Sequence, residues 1–236
     1  MKLGFDLTWF ERGIQLPVHA PIGHLICVGG SGSGKSTALL YWILQVRKTD
    51  KTDLWILDFK ASHEFDGVTK LDQYATFEDC YERLEQFYRL FQSLPEGGDG
   101  SNHILIIDEV AGLLTHFSMR KETKEKSEQI RQTMSSILML GRSRRCYLWL
   151  VMQRFTATIF PSGCGAVDNF HIYVGLGRLT VEGRKALFAG EHLDGEEMLI
   201  MGQGKGLVLI EGKKLRAIIL PQISKPTILQ LLQPLA

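Results

Sequence analysis

The stretch Gly29-Gly30-Ser31-Gly32-Ser33-Gly34-Lys35-Ser36-Thr37 decides how this chain is to be read. It satisfies G-x-x-x-x-G-K-S, follows the apolar run His24-Leu25-Ile26-Cys27-Val28, and precedes a proline-free segment from Lys35 to about Val46. A strand, a glycine loop and a helix in that order form the context in which such a loop cradles phosphate. The glycines let backbone N–H groups turn onto phosphate oxygens, and the helix N-terminus adds positive potential at the same point. Lys35 is expected to reach the β and γ phosphates, with Ser36 on magnesium. A flexible Gly/Ser loop without function is the bland alternative, and the flanking strand and helix count against it.

Working outward, strands are expected at Leu54–Leu57, Ile104–Ile107 and Tyr147–Val151, each nearly all apolar. Tyr81, Leu84, Tyr88 and Phe91 recur at helical spacing, so Phe77 to about Ser93 reads as an amphipathic helix, ended by Pro95 and the loop Glu96–Gly100. Ile130, Met134, Ile137 and Leu138 set a further helix against a core. Apolar strands alternating with helices indicate an α/β fold: a P-loop NTPase, RecA-like, with a mainly parallel sheet and helices on both faces. Past Phe170 come a strand at Ile172–Val174, a helix from Val181 to Phe188, and β-rich pieces at Met198–Met201 and Leu207–Ile210. The last, with Leu215–Leu220 across Glu211-Gly212-Lys213-Lys214, reads as a hairpin extending the sheet. Residues 1–236 are taken as one domain, with a β-rich lead-in over 1–22 and a β-rich C-terminal extension over 195–221.

The composition is that of an ordinary globular protein, 44% hydrophobic and 22% charged, which excludes disordered and fibrous classes. No apolar stretch reaches the roughly 20 residues that span a bilayer, and Met1–Asp6 lacks the core of a signal peptide, so a cytoplasmic protein without a membrane segment of its own is expected. Cys27, Cys80, Cys146 and Cys164 are scattered without a C-x-x-C pair, and free thiols are expected. The net charge is +1, yet Thr115 to Arg145 holds eight basic residues against three acids. That local excess is the only compositional hint of an anionic partner.

Hydrolysis needs more than a phosphate loop. Asp108-Glu109 end the third strand, where one carboxylate can hold the magnesium shell and its neighbour can act as general base on the attacking water. A pair of helix-capping surface carboxylates is the competing reading. Gln153 ends the fourth strand, at the edge of a parallel sheet where ligands bind. It suits a γ-phosphate sensor or water-orienting residue, or else a plain polar cap.

Taken in order, these residues resemble the FtsK/SpoIIIE branch of the FtsK–HerA superfamily of ring-forming DNA motors. Besides the phosphate loop, the resemblance covers Asp58-Phe59-Lys60 where the family has Asp-Pro-Lys, Asp108-Glu109, and Gly141-Arg142 through to Gln153-Arg154. It continues in Asp168-Asn169-Phe170, Arg184, and Gly195-Glu196-Glu197-Met198-Leu199. Phe59 and Phe155 replace family prolines, Ser143-Arg144-Arg145 replaces Ala-x-Gly, and Thr115–Lys126 is longer than the family's connection.

The resemblance implies an ATP- and Mg2+-dependent hydrolase assembled as a homo-oligomer, a hexamer, with duplex DNA in its channel and nucleotide sites between subunits. It makes Arg142 the finger that reaches the neighbour's γ-phosphate, against the alternative of a solvated arginine beside Arg144 and Arg145. Arg184 is a weaker candidate for the same neighbour. Arg120, Lys121 and Lys124 either line the channel through phosphate contacts or begin a solvated mixed-charge helix. Without a winged helix or membrane region in the sequence, a mobile element, plasmid or virus is the expected setting. The expected activity is therefore ATP-driven translocation of duplex DNA. The rivals are a packaging or conjugative-transfer motor, a nucleotide-dependent switch or small-molecule kinase, and a non-hydrolysing adaptor.

Overall fold

The structure, a computed structural model, describes residues 1–49, 51–191 and 202–232. Among the described residues ten strands form one sheet: β1 (Lys2–Asp6), β2 (Pro17–His19), β3 (Leu25–Gly29), β4 (Thr52–Asp58), β5 (Tyr74–Thr76), β6 (Asn102–Asp108), β7 (Cys146–Met152), β8 (Ile172–Leu176), β9 (Lys205–Ile210) and β10 (Arg216–Ile219). Their order is β2-β1-β10-β9-β8-β3-β7-β6-β4-β5. From β8 to β5 every pairing is parallel, whereas β8-β9, β9-β10, β10-β1 and β1-β2 are antiparallel. The fold is thus a P-loop NTPase sheet with an antiparallel wing, and the expected hairpin is the inner half of that wing.

Helices cover both faces because both faces of the central strands are apolar. Leu25 and Cys27 of β3, Ile104 and Ile106 of β6, and Trp149 and Val151 of β7 point to α2 (Lys35–Thr49) and α7 (Lys225–Leu232). The alternate residues Ile26, Val28, Leu105, Ile107, Leu148 and Leu150 face α3 (Asp79–Ser93), α4 (Val110–Ser118) and α5 (Lys124–Leu140). Two shorter helices, α1 (Leu7–Phe10) and α6 (Val181–Leu187), lie beside the wing and after β8. Two buried tryptophans find hydrogen-bond acceptors, as buried indoles require: Trp42 Nε1 donates to the Leu3 carbonyl at 2.9 Å and Trp149 Nε1 to that of Gly23 at 3.0 Å. The first of these bonds ties the helix after the phosphate loop to the wing.

Several boundaries move. The helix expected from Phe77 begins at Asp79, because Phe77 adopts φ 49°. Arg142 lies in a single 3-10 turn, Arg142–Arg144, after α5 has ended at Leu140. The lead-in over 1–22 contains the helical turn α1 as well as β1 and β2. The expected strand Met198–Met201 and the motif Gly195–Leu199 lie outside the described residues.

Candidate functional site

All six parallel strands deliver their carboxyl ends to one edge of the sheet, and β7 lies between β3 and β6. Gln153 therefore emerges between the phosphate loop, which follows β3, and Asp108-Glu109, which end β6. One cleft of about 300 Å³ is lined by Ser31, Gly32, Gly34, Lys35, Ser36, Thr37, Lys60, Ser62, Glu64, Asp108, Glu109, Gln153, Gln203 and Lys225.

The loop is built as its sequence demands. At Gly29 a Cβ would lie 2.5 Å from Ser33 Oγ and 2.6 Å from the Leu176 carbonyl oxygen, so the loop leaves its strand with no room for a side chain. Gly34 has φ 98°, and its carbonyl accepts from Ala38 N at 2.9 Å, which starts α2. From the other side Gly204 N donates to the Ser33 carbonyl at 3.0 Å, so the start of β9 braces the loop. Lys35 Nζ donates to the carbonyls of Gly29 at 2.6 Å and Gly30 at 2.9 Å, which holds the ammonium across the loop mouth.

Carboxylates crowd the opposite wall. Burial and the nearby Asp58 carboxylate push the Asp108 carboxyl up to about 6, with Glu109 adding to the rise and Lys60 and Lys35 pulling it down. Such a rise reflects burial first and neighbouring carboxylates second, which the two ammoniums do not fully offset. A divalent cation would offset it, and the Ser36 hydroxyl with the Asp108 carboxylate supplies the hard oxygen donors magnesium prefers. The residues present fit a magnesium ion bound with phosphate. Glu109 adopts φ 61° and ψ 50°, left-handed for a non-glycine residue, and its N–H donates to the Val151 carbonyl at 2.8 Å. Conformations of this kind cost roughly 1–3 kcal/mol and gather at functional sites. Lys60 Nζ forms an ion pair with Glu109 Oε2.

The other expected residues lie apart. Arg142 sits before the start of β7, at the opposite edge of the sheet, 71% exposed and 3.9 Å from Glu211 Oε2. Arg184 is on α6. Arg120 and Lys121 lie on the connection from α4 to α5 and Lys124 opens α5; all three are exposed.

Sequence reading missed a second hollow of about 410 Å³, which shares Gly34, Thr37, Gln203 and Lys225 with the cleft and is walled by Gly204, Ile219, Leu220, Pro221, Gln222, Ile223 and Ser224. It also gave no role to Lys60, Ser62 or Glu64. The position of Asp58-Phe59-Lys60 at the carboxyl end of an inner parallel strand was the available signal, since ligands bind at that edge.

No family model matches the sequence, and no curated protein matches it. Solved structures do. The cytoplasmic domain of the type VII secretion ATPase EccC from Thermomonospora curvata superposes with TM-score 0.68 at 16% identity, over 99% of this chain and 30% of that one. The conjugation coupling protein TcpA of pCW3, in monomer form with ATPγS, gives 0.65 at 17%, over 98% and 70%. The genome packaging NTPase B204 of Sulfolobus turreted icosahedral virus 2, with AMPPCP, gives 0.54 at 18%, over 86% and 100%. The chain spans under half the length of the first three such structures, at 30%, 43% and 47%. EccC is a secretion ATPase and B204 a packaging NTPase, and the TcpA and B204 structures hold ATP analogues. At these identities the likeness shows the fold, that of a P-loop NTPase domain.

Proposed function

We propose that this chain is an ATP-hydrolysing motor domain that acts as a ring on duplex DNA. One observation carries the reading: a single cleft gathers Lys35 and Ser36 with Asp108, Glu109 and Gln153. Residues 1–236 are read as one ATPase domain, which a single sheet from β2 to β5 supports.

Gly29 to Thr37 hold the phosphates, Lys35 pairs with the β and γ oxygens, and Ser36 with Asp108 hold magnesium, which supplies Lewis-acid charge to the phosphates. The hollow beside Gly34 and Thr37 takes the base and ribose between Leu220, Pro221 and Ile223. Glu109 accepts the proton of the attacking water and Gln153 orients that water. Arg142 lies before β7, at the sheet edge opposite its own cleft, and on this reading it serves a neighbouring subunit's site. Arg120, Lys121 and Lys124 contact DNA phosphates. TcpA, a conjugation coupling protein, and B204, a genome packaging NTPase, favour DNA as the cargo. EccC, a secretion ATPase, favours a polypeptide as the second reading.

ATPase rate against added duplex and single-stranded DNA, with mass measured in parallel, tests the proposal. Stimulation by duplex together with ring formation is expected. A rate indifferent to DNA but raised by an unfolded polypeptide would turn the reading to secretion. For the chemistry, Glu109→Gln should retain ATP and stop turnover, because the amide cannot take a proton; loss of binding instead would make Glu109 a binding residue.

A further inference from the structure

Asp58-Phe59-Lys60 closes β4, and the proposed chemistry leaves it unused. Asp58 is fully buried. Its Oδ2 accepts from Ser62 N at 2.9 Å, Ser62 Oγ at 2.9 Å and Tyr74 Oη at 3.1 Å, and its carbonyl accepts from Ala61 N at 2.9 Å. These bonds pin a turn in which Ala61 and His63 hold φ 50° and 56°, conformations that persist only where the surroundings impose them. Phe59 anchors the turn from the α4 side. A Cβ at Gly112 would lie 3.0 Å from the Phe59 ring and 3.3 Å from Glu109 Cγ, so ring and glutamate stem flank the same turn of helix. The Phe59 ring also stacks on Phe77, with centroids 5.4 Å apart and planes at 15°.

A tightly held turn thus brings the Lys60 ammonium against Glu109 Oε2, inside the cleft that also holds Ser36 and Gln153. Glu109 is 14% exposed at its side chain, Lys60 45%. A glutamate has three side-chain rotors, and one charge-assisted contact on a rigid support removes most of their freedom before reaction, a saving of the kind that fixes general bases.

We infer that Lys60 is a positioning residue for hydrolysis: it fixes one oxygen of the Glu109 carboxylate and so leaves Oε1 aimed to take the proton of the attacking water. The inference rests on Glu109 being the base. Lys60 acts through Glu109 and makes no contact with nucleotide in this role.

The test is steady-state ATPase of the full chain carrying Lys60→Ala, Lys60→Arg, Glu109→Gln, and Lys60→Ala with Glu109→Gln. ATP affinity and thermal midpoint are measured on each. Lys60→Ala should lower kcat about 10- to 100-fold, the scale of a misplaced catalytic group, with KM for ATP nearly unchanged. Lys60→Arg should restore most of the rate, because it returns a donor to Oε2. In the Glu109→Gln background the alanine should cost nothing further. A raised KM at constant kcat would overturn the inference by making Lys60 a phosphate ligand. A raised kcat would overturn it by showing that the pair parks the base, and an unaltered rate would reduce it to a surface pair. Should Lys60→Ala fail to fold, Lys60→Gln keeps the stem and carries the same expectations. Full turnover by Glu109→Gln would instead sink the role of Glu109 itself, a separate result.

Discussion

Arg142→Ala separates a shared nucleotide site from a self-contained one, because the structure sets its two expected effects far apart. The side chain is 71% exposed and pairs with Glu211 Oε2 at 3.9 Å, itself 61% exposed. A surface pair of this kind contributes about 0–1 kcal/mol. For a chain of this length, removing it should lower the thermal midpoint by no more than about 4 °C. Its own cleft is out of reach: β7 alone, Cys146–Met152, spans roughly 20 Å between Arg142 and Gln153. A monomer would lose nothing in catalysis. In a ring, a finger acting on the neighbour's γ-phosphate is worth about a thousandfold or more in rate. ATPase rate should therefore rise more steeply than linearly with protein concentration until rings form, and Arg142→Ala should bind ATP yet turn over very slowly. Mixing it with Glu109→Gln should restore some activity, because some interfaces then pair an intact Arg142 with an intact Glu109. A rate strictly proportional to concentration, while mass measurements show monomers becoming oligomers, would refute the shared site.

Further outcomes follow from other groups. Lys35→Ala should abolish turnover and weaken nucleotide binding, as read by calorimetry with ATP, since the loop loses its mobile phosphate charge. Neutralising Arg120, Lys121 and Lys124 together should lower the slope of log affinity against log salt by about one unit for each DNA phosphate left unneutralised; an unaltered slope would make the segment a solvated helix start. His103, 5% exposed, sits 3.2 Å from Asp53 and 3.1 Å from Asp99, and its hydrogen bond to Asp53, then Asp99, raises its pKa above 6.5. With the folded value above the unfolded one, this contribution is full below about pH 6.5 and fades as pH climbs through the raised value. Thermal midpoints of His103→Asn should lack that decline, and an identical pH profile would remove the pair from the account.

The central fold was legible because its strands are buried on two faces, so Leu54–Leu57, Ile104–Ile107 and Tyr147–Val151 stand out as unbroken apolar runs inside the observed β4, β6 and β7. The phosphate loop and Asp108-Glu109 were legible for the same reason, since each hangs on the end of such a run. Helix α4 was missed: it starts at a left-handed Glu109 with no side-chain cap and contains Gly112, so no start signal precedes it. Strand β5 has three residues, too few for a period to show. Helix α7 did carry a signal, Pro226 in its first turn, which went unused. The contact of Lys60 with Glu109, and the hollow walled by Leu220 and Pro221, join residues far apart in the chain. Local spacing holds no record of either.

The antiparallel wing has a consequence for how the chain is made. Phe5 of β1 pairs with Ile219 of β10, 214 residues later. At synthesis rates of about 5–20 residues per second, the first strand waits roughly ten to forty seconds for its inner partner. Throughout that interval the β1 edge that β10 will cover lacks its strand partner, while the parallel strands through β8 can already assemble.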